Sequence, residues 1–310
     1  MQIYVEMPNG QRIDNGRLTM NQRLKIPSPW AQLGLFMALL GGCYVVTALI
    51  VGSLATPGHG GIGWEKFEQV LASAGVFALP AWTFATMATH GQAADFLGLK
   101  KAQIPAFYAI GVLLLLLSFP FEGWLGQLNR HIQLAQWMVQ AEKDATEKMG
   151  DFLRVNSPMD ILINIIIIAA IPAVCEELCF RGALQRILIQ CFNSPWAGIV
   201  FTGAFFSAFH MQFQGFLPRM FMGILLGAAY WYSGSLWVSI LAHFFTNAAQ
   251  VIAVSYYPKM IDEDPYVSVY LALGSLAVVL GLLFIFRRRS RTSYAEVYAN
   301  NDDHYGRFPE

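Results

Sequence analysis

The chain has 310 residues, of which 55% are hydrophobic and only 13% charged, and its 20 basic and 20 acidic side chains give a formal net charge of zero. Soluble domains carry about a quarter charged residues, so this composition argues against a soluble protein; the balanced charge, with no interleaved basic and aromatic patch, argues against a nucleic-acid partner. Cys43, Cys175, Cys179 and Cys191 lie in or beside apolar segments with no CxxC pair, which excludes a zinc-ribbon framework and predicts buried thiols.

Residues 1–28 are polar, with Arg12, Arg17, Arg23 and Lys25. They read as a polar tail, and the first apolar run after them is too long for the core of a cleavable signal peptide. A membrane helix needs about 20 mostly apolar residues. Eight stretches qualify, near 31–53, 69–89, 104–125, 158–180, 196–213, 216–232, 235–256 and 266–286. The expected fold is therefore an all-α polytopic membrane bundle of about eight transmembrane helices. The sixth stretch is short and carries Arg219, which is expected to reach the headgroups by snorkelling.

Within that frame, 29–157 holds the N-terminal helices and one long polar connection, 158–256 the core that carries polar motifs, 257–286 the last span and 287–310 a basic tail. The connection, 126–157, contains Arg130, Glu142, Lys143, Asp144, Glu147 and Lys148. Its part from 131 to 149 reads as an amphipathic helix at the interface, a solvated helix or a lid. That connection and the acidic 261–264 stretch are expected to shape access. An even number of spans puts the termini on one side. The Arg287, Arg288, Arg289 and Arg291 cluster, the basic N-tail, Lys100 and Lys101, and Arg181 and Arg186 counted as following the fourth run, favour cytoplasmic termini. No internal repeat or low-complexity tract is present.

The chemistry is concentrated in the fourth, fifth and seventh runs. Glu176-Glu177-Leu178-Cys179-Phe180-Arg181 continues straight out of an apolar run, where charges are costly and mark function. On a helix Glu177 and Arg181, four apart, share a face and pair. Glu176 is turned by about 100° from Glu177 and is free to point elsewhere. Phe206-Ser207-Ala208-Phe209-His210 places a histidine in the next run, and His243-Phe244-Phe245-Thr246-Asn247 puts two polar groups on one face of the seventh. Such groups also serve simply as interhelical glue. Their depth argues for more. The fourth and fifth runs join near Asn193, Ser194 and Pro195, and Glu176 and His210 lie equally far from that turn, about 26 Å along each helix. Asn247 returns to a similar level.

In order and spacing, these motifs match the EExxxR, FxxxH and HxxxN signatures of the CPBP (Abi) family, which includes the type II CAAX prenyl endopeptidases; the chain resembles that family over about 158–250, and residues 1–150 carry no matching motif. The resemblance implies an intramembrane endopeptidase acting on a membrane-associated protein or peptide. It implies Glu176 as the base that activates water, His210 helping to hold the water, His243 and Asn247 donating to the oxyanion, and Arg181 fixing Glu177. Two cofactor readings follow. Metal-independent glutamate catalysis is favoured, since no HExxH signature occurs; zinc on Glu176, His210 and His243 is the other. A prokaryotic cell membrane is the expected location. A bacteriocin self-immunity factor or scaffold is the alternative function, and a transporter, which predicts inverted repeats, fits less well. Neither the natural substrate nor its prenylation is legible.

Overall fold

The structure is a computed structural model. It describes residues 26, 28–54, 61–89, 92–155, 157–261 and 266–291, and the backbone of 4–6, 11–14 and 17–20. Those three backbone stretches are β1 (Tyr4–Glu6), β2 (Gln11–Asp14) and β3 (Arg17–Met20). They pair as an antiparallel meander, with Val5 opposite Ile13 and Arg12 opposite Thr19. Otherwise the described chain is a helical membrane bundle, as its composition predicts.

All eight apolar runs fold as helices. In chain order the helices are α1 (Pro29–Leu54), α2 (Ile62–Ala88), α3 (Ala106–Asn129), α4 (Gln136–Leu153), α5 (Pro158–Phe192), α6 (Pro195–Phe209), α7 (Phe216–Ser233), α8 (Leu236–Tyr256) and α9 (Val269–Arg289). Six of them, α1, α2, α3, α5, α8 and α9, are long and apolar enough to cross a membrane; α6 is apolar but shorter. α7 carries most of its buried side chains toward its C-terminal half. The amphipathic helix expected in the polar connection is α4, displaced toward the C-terminus.

Local chemistry sets the helix ends. Ser157 and Asp160 form a capping box before Pro158, a start signal that satisfies orphan amides. Asn193 in the left-handed region (φ 50) closes α5, and Ser194 caps α6 ahead of Pro195. Gly234 (φ 65) ends α7. Pro80 and Pro172 sit just after π-helical turns at Ser73–Ala78 and Ile165–Ala170. A proline cannot supply the amide hydrogen that an α-helical ladder requires, and a wider turn is one way a membrane helix absorbs the gap.

α5 departs from the sequence reading. The fourth apolar run reads as ending near 180, with Arg181 and Arg186 after it and counted as charges on the side of the turn at Asn193. Instead the helix runs 35 residues to Phe192, and both arginines are fully buried in it. Arg186 donates to the Phe96 carbonyl at 2.8 Å and stacks over the Phe96 ring at 4.0 Å. Neither arginine therefore counts as a loop charge, which weakens the count behind cytoplasmic termini. The Arg219 guanidinium donates to the Gln212 side chain and carbonyl. Among the described residues the cysteines are free thiols, and Cys175 and Cys179 are buried. Most of the acidic 261–264 stretch lies outside the described residues.

The core gathers around the second half of α5, where residues 178–190 are buried without a break. α6 and α7 approach each other at two glycines. A Cβ on Gly223 would stand 2.8 Å from the Gly203 Cα, so only hydrogen fits. This contact brings the α7 backbone against α5 and places the Gly223 carbonyl at the site described next.

Candidate active site

Glu176 and Glu177 end a short α-helical stretch, Ile171–Glu177, between two π-helical segments of α5. The second, Leu178–Gln185, contains Arg181. π segments re-aim the side chains that follow them and cluster at functional sites. Burial of this stretch is nearly complete: Glu177 and Arg181 are 0% exposed and Glu176 8%. Two carboxylates at such depth survive only if partners satisfy them.

Glu177 is satisfied twice over on one oxygen. Arg181 Nη1 donates to Glu177 Oε1 at 2.5 Å, the pair expected from their spacing. His243 Nδ1 lies 2.9 Å from the same oxygen, a link the sequence reading did not foresee. Carboxylates only accept, so the Nδ1 proton of His243 is assigned by this bond. Neutral His243 therefore carries its lone pair on Nε2, which faces Glu176 Oε2 at 3.9 Å. That separation is too long for a hydrogen bond and leaves the Glu176 carboxylate available. Arg181 also donates to the Gly223 carbonyl at 3.1 Å, and its guanidinium lies 4.5 Å from the centre of the Phe206 ring. The cation is thus held by one charge, one carbonyl and one aromatic face.

Phe206 is the hub that the sequence supplied only as a motif letter. Besides Arg181, its ring meets His243 edge-on at 5.7 Å and His210 at 4.9 Å. α6, α5 and α8 converge on it. His210 itself stands at the end of α6, exposed, with Nδ1 2.8 Å from the Phe206 carbonyl. A carbonyl also only accepts, so neutral His210 likewise presents a bare Nε2. Asn247 lies one turn beyond His243 on α8, half-buried, and has no hydrogen-bond partner among the described residues. The structure thus joins Glu177, Arg181 and His243 by direct bonds and sets Glu176 beside His243. It links His210 to the group through Phe206, and leaves Asn247 adjoining.

For zinc, the ligand types are present but their arrangement does not fit. Among the described residues no three His, Cys, Asp or Glu side chains are arranged to hold a metal ion. A cleft of about 270 Å³ lies between α1, α2 and α4, lined by Thr47, Ala48, Val51, Ala72 and Val76, and touches none of the six residues.

Residues 158–249 match the family described as type II CAAX prenyl endopeptidase Rce1-like. This span is similar to an Rce1-like domain. It contains all six motif residues, and the rest of the chain lies outside the match. That family is one of CAAX-type intramembrane proteases, so the likeness over this span is to a membrane peptidase domain at family level. No curated protein and no solved structure matches the chain.

Proposed function

We propose that the chain is an intramembrane endopeptidase that hydrolyses a peptide bond of a membrane-associated protein or peptide, with Glu176 as the base that activates water. The observation that carries this reading is the contrast between the two carboxylates: Glu177 Oε1 accepts from both Arg181 and His243, whereas Glu176 has no hydrogen bond among the described residues and faces His243 Nε2. A base must have a free lone pair near the water it deprotonates. The bare Nε2 of His210 is suited to hold that water. Asn247, without a partner of its own, is suited to donate to the oxyanion.

His243 takes one of two parts. Neutral, with Nδ1–H on Glu177, it accepts through Nε2. Doubly protonated, it keeps the Glu177 bond and donates from Nε2 to the oxyanion, where a preorganised donor in a dry site is most effective. Glu176 and Glu177 flank the ring, so the second form is not an isolated buried cation. In this scheme Arg181 holds Glu177, and Glu177 holds His243.

No step in this scheme passes through a metal. The competing reading puts zinc on Glu176, His210 and His243 to activate the water, but as arranged these residues do not form a metal site. Activity that survives exhaustive chelation supports the metal-independent scheme; loss on chelation and rescue by zinc overturns it. The arginine cluster at the end of α9, exposed at Arg287, Arg288, Arg289 and Arg291, favours cytoplasmic termini in a prokaryotic cell membrane. The broad test is substrate proteomics of cells carrying wild type or Glu176→Ala. Peptides that depend on Glu176 identify the substrate, and a peptide profile indifferent to Glu176→Ala sinks the protease reading.

A further inference from the structure

His210 is the one histidine of the site whose position depends on a turn. It follows the last residue of α6 and opens the connection 210–215 to α7. Met211, next to it, adopts a left-handed conformation (φ 51). A residue with a Cβ stays there only when its surroundings over-determine the backbone, and this turn is held from three sides.

Asn129, the last residue of α3, is 1% exposed. It donates Nδ2–H to the Phe213 carbonyl at 2.7 Å and accepts the Leu217 amide on Oδ1 at 3.0 Å, so one buried side chain spans the turn. From α4, Glu142 accepts the Gln214 amide at 2.8 Å, and Trp137 sets its ring edge-on to Phe213 at 5.2 Å. From α7, Arg219 donates to Gln212 through side chain and backbone. Each of these partners grips a residue between two and seven positions after His210, and none of them touches the Glu176–Glu177–Arg181–His243 group. Among the described residues, the His210 ring has one hydrogen bond, to the Phe206 carbonyl, and one ring contact, with Phe206. Its place relative to Glu176 is therefore set by the backbone on which it stands.

We propose that Asn129 and Glu142 are positioning residues for His210, and that α4 acts as a strap that holds the catalytic turn in register with Glu176. α4 suits that part. Its C-terminal residues Phe152 and Leu153 are buried, which anchors one end, and its first turn and Glu142 reach the 210–215 connection. Between them Lys143, Asp144, Glu147 and Lys148 are exposed. The polar connection that resisted assignment from sequence thereby has a function: displacement of α4 is transmitted to His210 through a hydrogen bond and a ring contact. The proposal rests on the reading of His210 as part of a peptidase site.

The test compares wild type, Glu142→Ala, Glu142→Gln and Asn129→Ala, each as the full chain in lipid nanodiscs. Two readouts are independent of activity: hydrogen–deuterium exchange at the Gln214 and Leu217 amides, and the rate at which diethyl pyrocarbonate modifies His210, followed by mass spectrometry. The third is cleavage of a fluorogenic peptide ending in a farnesylated CAAX sequence. Glu142→Ala is expected to raise exchange at Gln214 by about tenfold or more, change His210 reactivity, and lower kcat about tenfold with KM within about twofold, because displacing a reacting group by an ångström is enough to cost that much. Glu142→Gln, whose amide oxygen still accepts the Gln214 amide, restores all three. Asn129→Ala acts more strongly at Leu217. If it fails to fold, Glu142→Ala, on an exposed helix, still decides. Unchanged exchange or unchanged His210 reactivity overturns the proposal whatever happens to cleavage, and so does a loss that falls on KM alone. Altered exchange and reactivity in a protein whose wild type does not cleave the probe supports the clamp and counts against a farnesylated CAAX substrate, and the Glu176→Ala proteomics then decides the peptidase reading.

Discussion

Glu177 accepts from Arg181 and His243 in a fully buried setting, whereas the neighbouring Glu176 carboxylate makes no hydrogen bond. Removing the first therefore leaves a buried guanidinium with one carbonyl and a ring for company. Glu177→Ala is expected to destabilise the protein by about 3–5 kcal/mol, the usual cost of breaking a buried ion pair from one side, seen as an earlier midpoint in an SDS-unfolding titration. Glu176→Gln is expected to leave that midpoint nearly unchanged and to abolish peptide cleavage. The reverse pattern would exchange the roles assigned to the two residues. At this scale the sequence was informative where partners are one helical turn apart. The Glu177–Arg181 pair follows from spacing on a single helix. The Glu177–His243 bond, between residues 66 positions apart, does not, because nothing local reports which helix face meets which.

Helices α6 and α7 are locked by glycines. Gly223→Ala would place a methyl group 2.8 Å from the Gly203 Cα, against backbone that cannot rotate away. The helices must separate, and the Gly223 carbonyl then leaves Arg181. A loss of about 1–3 kcal/mol is expected, the range for overpacking, together with reduced activity. Gly274→Ala, in α9, meets open space and is expected to be neutral or stabilising by up to about 1 kcal/mol, since alanine is the better helix former. Equal effects of the two substitutions in thermal unfolding would refute the packing argument. The helices themselves were legible in sequence, because each apolar run is long and bounded by proline, glycine, serine or charge. The burial of the C-terminal half of α5 was not. Hydropathy falls where Arg181 and Arg186 begin, and only neighbouring helices, with the carbonyls of Gly223 and Phe96, make burial of those cations tolerable.

Across the whole molecule, α3 and α9 run side by side in opposite directions: Phe107 stacks on Phe286 at 4.6 Å, and Ser275 donates to the Leu117 carbonyl. The α4 connection and the arginine cluster at the end of α9 therefore stand at opposite ends of the bundle. Cysteines introduced by Lys143→Cys and Arg291→Cys in a cysteine-free background are expected to react with a membrane-impermeant maleimide from opposite faces of the membrane. Labelling from the same face would overturn the arrangement. α5, at 35 residues, rises about 52 Å, more than the roughly 30 Å hydrocarbon core. It must tilt or project, and with Glu176 near its midpoint the site need not lie at the level that counting from the turn at Asn193 suggests. By itself the sequence determined that this is a helical membrane protein, because hydrophobic length is a local property that any environment must respect, and its three motifs supplied the resemblance to CAAX proteases. Tertiary structure alone decided that His243 leans on Glu177, that Phe206 joins the two histidines, and that Asn129 and Glu142 grip the turn after His210. Those contacts join residues from separate helices, and their distances are fixed only when the bundle closes.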